Sequence, residues 1–282
     1  MRRIIQSIST VFFNGYLYGF INGKIYKGGL KATCVPVLNC YSCPGSLGSC
    51  PIGSLQAVLG DKKNNFSFYV LGLIMLFGVV LGRFICGFLC PFGFLQDLLY
   101  KIPVKKHNEF RFDNKLRYIK YIVLIVLVIL GPLLLVDDFG NGTPYFCKYL
   151  CPAGTLEAGI PLAITNMDIR GALGVLFNYK LGILAFIIIA SMKIYRPFCK
   201  YLCPLGGIYG IFNRFSFYQM KVDQDKCIKC QKCVSACKMK VDVLNNINSP
   251  ECIRCKDCIN VCPVNAIEAG VKLNSNEIKK EV

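Results

Sequence analysis

The chain of 282 residues has no Trp, a single His (His107) and only 16 Asp plus Glu. One His excludes an H-E-x-x-H zinc protease, and equally a haem held by two His of this chain alone. Charged residues make up 17% against the roughly 25% of ordinary soluble domains, while 54% are hydrophobic, which excludes disorder for most of the length. No Ser-His-Asp set, P-loop or strand-borne G-x-G-x-x-G is present, so none of those bond-making centres can be assigned. Without Trp, the 15 Tyr must supply any interfacial belt, and lipid contact accounts for the 20 Phe without a quinone pocket. What the chain does have is 33 Lys plus Arg, a formal charge of +17, and 18 Cys. Cys at about 6%, in a chain too long for a disulfide-stapled miniature, points to metal or redox chemistry.

Four apolar stretches approach the roughly 20 residues that cross a bilayer: 4–21, 66–82, 121–136 and 175–195. The first carries Gln6, Ser7, Ser9, Thr10 and Asn14. No A-x-A pattern follows it, so it reads as an uncleaved helix rather than a signal peptide. Pro132 should kink the third span without ending it, and Lys180 and Lys193 sit near the ends of the fourth, where long stems reach headgroups. Arg83, Lys101, Lys105, Lys106, Arg111, Lys115 and Arg117 mark the loop between the second and third spans as cytoplasmic. Asp137, Asp138, Glu157 and Asp168 against Lys148 and Arg170 mark the next loop as outside. Both termini are then cytoplasmic, although Lys24, Lys27, Lys31, Lys62 and Lys63 in the first loop run against that orientation.

Residues 227–263 read CIKCQKCVSAC and CIRCKDCINVCP, each a C-x2-C-x2-C-x3-C run. Three thiolates on one tight loop can cap three irons of a cubane, and the fourth Cys of each run serves the other cluster. One cluster then takes Cys227, Cys230, Cys233 and Cys262, and the other Cys252, Cys255, Cys258 and Cys237. The segment resembles a two-[4Fe-4S] ferredoxin domain, with Lys238 where a Pro often follows the fourth Cys and Pro263 keeping that place. Zinc sites or disulfides are the alternative, but zinc favours separated C-x2-C pairs. Lys226, Lys229, Lys232, Lys238, Lys240, Arg254 and Lys256 surround the runs as a solvated basic face or a docking face for an acidic redox partner or anionic lipid.

The first two-thirds repeats one motif four times: CPIGSLQA from Cys50, CPFGFLQD from Cys90, CPAGTLEA from Cys151 and CPLGGIYG from Cys203. Three copies have a Cys four residues earlier: Cys86, Cys147 and Cys199. The first copy has Ser46 there, with Cys43, Cys40 and Cys34 farther upstream. Residues at i and i+4 share a helical side. Pro at the first helical position puts each C-P Cys at a helix start, where free N–H groups and the dipole favour an anion, and the Gly lets backbone approach inorganic sulfur. The predicted topology groups Cys86, Cys90, Cys199 and Cys203 on the inner side as a cluster site. It leaves Cys147 and Cys151 outside with Cys40, Cys43 and Cys50 as a second site, as a cluster or as disulfides; Cys34 packs or joins them. Glu157 and Asp97, which follow the motifs, read as caps or solvated carboxylates rather than proton carriers.

C-x3-C-P pairs after apolar spans, followed by ferredoxin runs, resemble the NapH, NosR and RdxA class of membrane polyferredoxins over nearly the whole chain. The resemblance implies a mainly α-helical membrane domain over 1–220, with about four transmembrane helices and short half-helices after the C-P-x-G motifs. A small α+β two-[4Fe-4S] ferredoxin domain over 221–270 and a charged tail over 271–282 follow. It implies a multi-pass protein of the cytoplasmic membrane with two ferredoxin clusters and one or two more in the membrane domain. Such a protein passes single electrons between a flavin- or quinol-linked outer or membrane partner and a cytoplasmic redox partner, without nucleic acid and without substrate chemistry of its own. Relays are needed because the hydrocarbon core is about 30 Å thick. A copper-reducing, metal-handling role is the alternative, since thiolates suit Cu(I), but only Met167 and no His accompany the outer thiols. A redox sensor would need an effector segment, whereas about one short helix and a frayed end are expected after Cys262.

Overall fold

The computed structural model describes residues 1–61, 67–106, 112–135, 142–171, 173–272 and 278–280. His107, Arg111, Lys62, Lys63, Asp137, Asp138, Phe66 and Val136 lie outside the described residues. Most of the rest is helical, with one small sheet near the C-terminus.

The expected first span is not one helix. A helix covers Arg2–Phe13, the chain turns at Asn14, and a second helix covers Leu17–Asn22. The break has a local cause: the Leu47 N–H donates to the Phe13 carbonyl and the Tyr16 N–H to the Gly45 carbonyl, so a loop replaces the next helical turn. The first helix is inverted relative to a soluble one. Gln6 and Ser9 are buried while Ile4, Ile8, Val11 and Phe12 are exposed. Gln6 Nε2 donates to the Gly87 carbonyl (2.9 Å) and Ser9 Oγ to that of Leu89 (3.0 Å), so the polar stripe fastens the helix to its neighbours.

Two helices among the described residues are long and apolar enough to cross a membrane, Asp113–Leu134 and Val175–Lys193; Phe68–Leu81, at 14 residues, is apolar but shorter. The Asp113–Leu134 helix widens to π geometry over Leu124–Leu130, just before Pro132, whose missing N–H removes an ordinary i to i−4 bond. Lys180 does not reach outward as expected; its ammonium donates to the Cys147 carbonyl (3.1 Å).

The C-terminal part is built on an antiparallel sheet in the order β1 (Tyr218–Val222), β2 (Ile267–Lys272) and β3 (Ile278–Lys280), with Tyr218 opposite Val271 and Lys272 opposite Ile278. β1 straddles position 220. The short helix expected after Cys262 is replaced by a strand, because Ile267 and Val271 meet partners on β1 that only the folded chain supplies; of the expected frayed end, Asn276 and residues 277, 281 and 282 lie outside the described residues.

This sheet-bearing part is docked tightly on the helices. Arg254, expected on an exposed basic face, is fully buried: Nη1 donates to the Leu81 carbonyl (3.0 Å) and Nη2 to the Asn213 carbonyl (2.7 Å). Asn213 Nδ2 in turn donates to the carbonyls of Ser249 (2.9 Å) and Cys252 (2.7 Å). Backbone meets backbone at Gly87, where a Cβ would lie 2.2 Å from the Ile253 oxygen. Gly87→Ala is therefore expected to destabilise this seam by about 1–3 kcal/mol. Hydrogen exchange at residues 250–256 should accelerate, and unchanged protection would contradict the docking.

Candidate redox centres

Cys50, Cys90, Cys151 and Cys203 are each the residue before a helix whose first position is Pro. Pro fits that position because the N–H it lacks would have no helical partner. The Gly206 N–H donates to Cys203 Sγ (3.3 Å), the bond expected of an anion-seeking helix start. Cys86, Cys147 and Cys199 lie one helical turn upstream, within Phe84–Phe88, Phe146–Leu150 and Pro197–Tyr201.

Tertiary structure pairs the second repeat with the fourth and the first with the third. Cys86, Cys90, Cys199 and Cys203 all lie within electrostatic reach of one another. So do Cys40, Cys50, Cys147 and Cys151. A Cβ on Gly154 would sit 3.6 Å from Cys40 Sγ, and one on Gly53 3.8 Å from Cys147 Sγ, so these glycines leave open the space the thiols face. Cys40 thus takes the place that Ser46 leaves empty in the first repeat. Cys43 lies within electrostatic reach of Cys40, and its thiol donates to Asn14 Oδ1 (3.5 Å). Cys34 is set apart in a backbone bridge to Ser49.

Apart from Cys40, the thiols of both groups belong to or pack against one hydrophobic core. Tyr209, fully buried, lies within electrostatic reach of Cys86 and Cys90 on one side and Cys34 and Cys50 on the other. Its hydroxyl donates to the Pro36 carbonyl (3.0 Å).

Spacing alone did not single out the residues six positions after each C-P Cys. Gln56 Nε2 donates to Cys147 Sγ (3.3 Å) while its Oε1 accepts from the Phe146 N–H (3.0 Å). Gln96 does the same toward Cys199 Sγ (3.1 Å) and the Phe198 N–H (3.2 Å). Glu157 accepts from the Cys40 N–H (2.7 Å), and Tyr209 reaches Pro36. The repeated sixth position was the signal that would have found them. Asp97, expected to be a cap or solvated, is instead buried against Arg196 (2.6 Å) and Arg2 (2.6 Å). Glu157 likewise bonds across the core rather than to solvent.

In the ferredoxin-like part, Cys227, Cys230, Cys233 and Cys262 line one small cavity, and Cys237, Cys252, Cys255 and Cys258 line another. The Val241 N–H donates to Cys237 Sγ (3.4 Å) and the Ala266 N–H to Cys262 Sγ (3.3 Å). Burial pushes the Cys255 thiol up to about 12 and raises Cys252 and Cys258 as well, so a metal that takes them must displace protons. All 18 Cys are free thiols. Among the described residues, no three Cys, His, Asp or Glu side chains are placed to hold a single metal ion. In the ferredoxin-like part the thiols surround cavities instead, N–H donors are aimed at sulfur, and Arg83 Nε is buried without a hydrogen-bond partner beside the Cys86 group. A donor set of four sulfurs around a space suits a cluster.

Comparison with known proteins gives the same chemistry. A family model described as "4Fe-4S binding domain" matches residues 65–108, 121–160 and 181–222, and one described as "4Fe-4S dicluster domain" matches 219–263. Two uncharacterized proteins of Methanocaldococcus jannaschii, MJ0749 and MJ0750, are 30% and 31% identical over 64% and 63% of this chain. The matches span 60% and 68% of those proteins. The ferredoxin-type protein NapH of Haemophilus influenzae is 25% identical over 84% of this chain and 73% of its own length. No solved structure matches.

Gln56→Leu and Gln96→Leu each leave a buried N–H and a thiol without their partner. Each should cost about 1–3 kcal/mol of stability. Thermal unfolding followed by circular dichroism checks this: both variants should melt earlier, whereas Gln219→Leu, at the surface end of the sheet, should not.

Proposed function

This chain belongs to the NapH/NosR-type polyferredoxin family, and on that premise we propose that it carries single electrons through a membrane along four [4Fe-4S] clusters. The observation that supports this most is the gathering of the repeat thiols into two four-thiol groups, with the buried Tyr209 within electrostatic reach of thiols from both. Electrons need stepping stones across about 30 Å of hydrocarbon, and two sites inside the protein would divide that gap. When bound, each cluster supplies reversible one-electron storage at a fixed place.

The protein residues hold and insulate these places. Cys86, Cys90, Cys199 and Cys203 would ligate one cluster and Cys40, Cys50, Cys147 and Cys151 a second. Gln56 and Gln96 hold thiols by hydrogen bonds, and the apolar core excludes water. A membrane setting is supported by the inverted surface: Ile122, Ile125, Phe186 and Ile189 are exposed while Arg83, Lys120 and Arg196 are buried. The cytoplasmic face would carry the ferredoxin-like part, and a flavin- or quinol-linked partner would exchange electrons at the other end. The copper-handling alternative gains nothing at the outer thiols, since Met167 is 86% exposed.

The seam orders the relay. Arg83 donates to the Cys199 carbonyl (3.0 Å) and to the Pro250 carbonyl (2.6 Å), so one side chain joins the Cys86 group to the loop entering Cys252. The Cys237, Cys252, Cys255 and Cys258 site therefore stands next in line. The Cys227, Cys230, Cys233 and Cys262 site is farthest out, with Cys230 exposed to a soluble redox partner.

Iron and acid-labile sulfide analysis of anaerobically purified full-length protein should give about sixteen irons per chain. Cys90→Ser and Cys151→Ser should each lower the count by about four. A wild-type count near eight, unchanged in both variants, would remove the two membrane sites from the scheme.

A further inference from the structure

We propose that Arg83 and Arg196 are positioning residues that raise the reduction potential at the Cys86 group above that at the Cys50 group, so that electrons run from the Cys50 group to the Cys86 group and on to the ferredoxin-like part. This rests on the reading that both groups hold clusters. Each Arg stands three residues before a C-x3-C-P pair, Arg83 before Cys86 and Arg196 before Cys199. Each donates to the ligand backbone of the other motif: Arg83 Nη2 to the Cys199 carbonyl (3.0 Å) and Arg196 Nη1 to the Cys86 carbonyl (2.6 Å). The crossing is reciprocal, as in a twofold-related pair. Both guanidiniums are fully buried. Glycine makes the room for them: a Cβ on Gly206 or on Gly93 would lie 3.2 Å from the approaching Arg83 or Arg196 nitrogen.

Carboxylates offset this charge only in part. Arg196 and Arg2 share Asp97, Arg83 and Lys120 share Glu251, and Arg2 also pairs with Asp257 (3.5 Å), so four cations face three carboxylates around the Cys86 group. The Cys50 group has no guanidinium at the equivalent places. Pro144 stands three residues before Cys147, and Cys43 three before Ser46. Lys31 is buried within electrostatic reach of Cys40, but its ammonium donates to the Ser46 carbonyl (2.8 Å) rather than to a Cys of the group. The cation bonded to one of the group's own Cys residues is Lys180, on the Cys147 carbonyl (3.1 Å), and it is half-buried. Glu157 accepts from the Cys40 N–H. Reduction adds negative charge, and two fully buried guanidiniums bonded to the ligand backbone favour it more than one half-buried ammonium there and one buried ammonium bonded elsewhere.

The test is an anaerobic potentiometric titration of the full-length protein followed by electron paramagnetic resonance. Cys90→Ser and Cys151→Ser identify which signal belongs to which group by its loss. In the wild type the signal lost in Cys90→Ser should have the higher midpoint. Arg196→Gln should lower that midpoint so that the reduced fraction at fixed potential falls about tenfold, which is about 59 mV for one electron. Arg196→Lys, which keeps the charge, should recover most of it, and the signal lost in Cys151→Ser should not move. Equal or reversed wild-type midpoints would overturn the proposal even if Arg196→Gln cannot be loaded, and so would an unmoved midpoint in a fully loaded Arg196→Gln. Should neither Cys variant remove a signal or any iron, the membrane sites themselves fail and the proposal falls with them.

Discussion

Charge held inside an apolar core is the constraint around which this molecule is organised. A buried ion is tolerated only when donors and counter-charges surround it, and the helical part supplies both. Arg83, Arg196 and Lys120 are all fully buried, and each is met by a carboxylate: Asp97 for Arg196, Glu251 for Arg83 and Lys120. These pairs lie around the thiols, while the outer surface of the same helices is Ile, Val, Leu and Phe. The usual arrangement of a soluble protein is turned inside out, with the ionic network as the interior and the apolar side chains as the skin.

The network also explains how four copies of one short motif become two sites instead of four. A single C-x3-C-P turn presents two sulfurs and cannot enclose anything. Gln56 and Gln96 each grip the thiol and the preceding N–H of a partner motif, and Arg83 and Arg196 each grip a partner carbonyl. Such contacts are satisfied only when motifs meet in pairs. The first copy, which lacks the upstream Cys, is completed by Cys40 from a loop, with Glu157 holding the Cys40 N–H.

Glu251 shows how the two parts of the chain are made one. It stands beside Cys252 in the ferredoxin-like part, yet its partners Arg83 and Lys120 belong to the helices. Those same helices hold the Cys86 group, so docking and site assembly use the same side chains. Arg254 does the converse, reaching from the sheet-bearing part to the carbonyls of Leu81 and Asn213. A rigid seam of this kind keeps distances constant, which is what transfer between fixed points requires.

Local spacing was enough to determine the thiol runs, the helix starts at each C-P and the family, because a loop or turn of a dozen residues sets those geometries by itself. It was enough, too, to point to long apolar helices at 121–136 and 175–195, although the first of these begins at Asp113 and takes in Lys115 and Arg117. It did not reveal the break at Asn14, made by the Leu47 N–H and the Gly45 carbonyl of a loop about thirty residues away. Nor did it choose Cys40 over Cys43, bury Asp97 and Arg254, or turn the segment after Cys262 into strands. Each of those depends on groups brought together from distant parts of the chain, and a buried donor or charge takes whichever partner the fold delivers, since leaving it unpaired costs more than any local preference supplies.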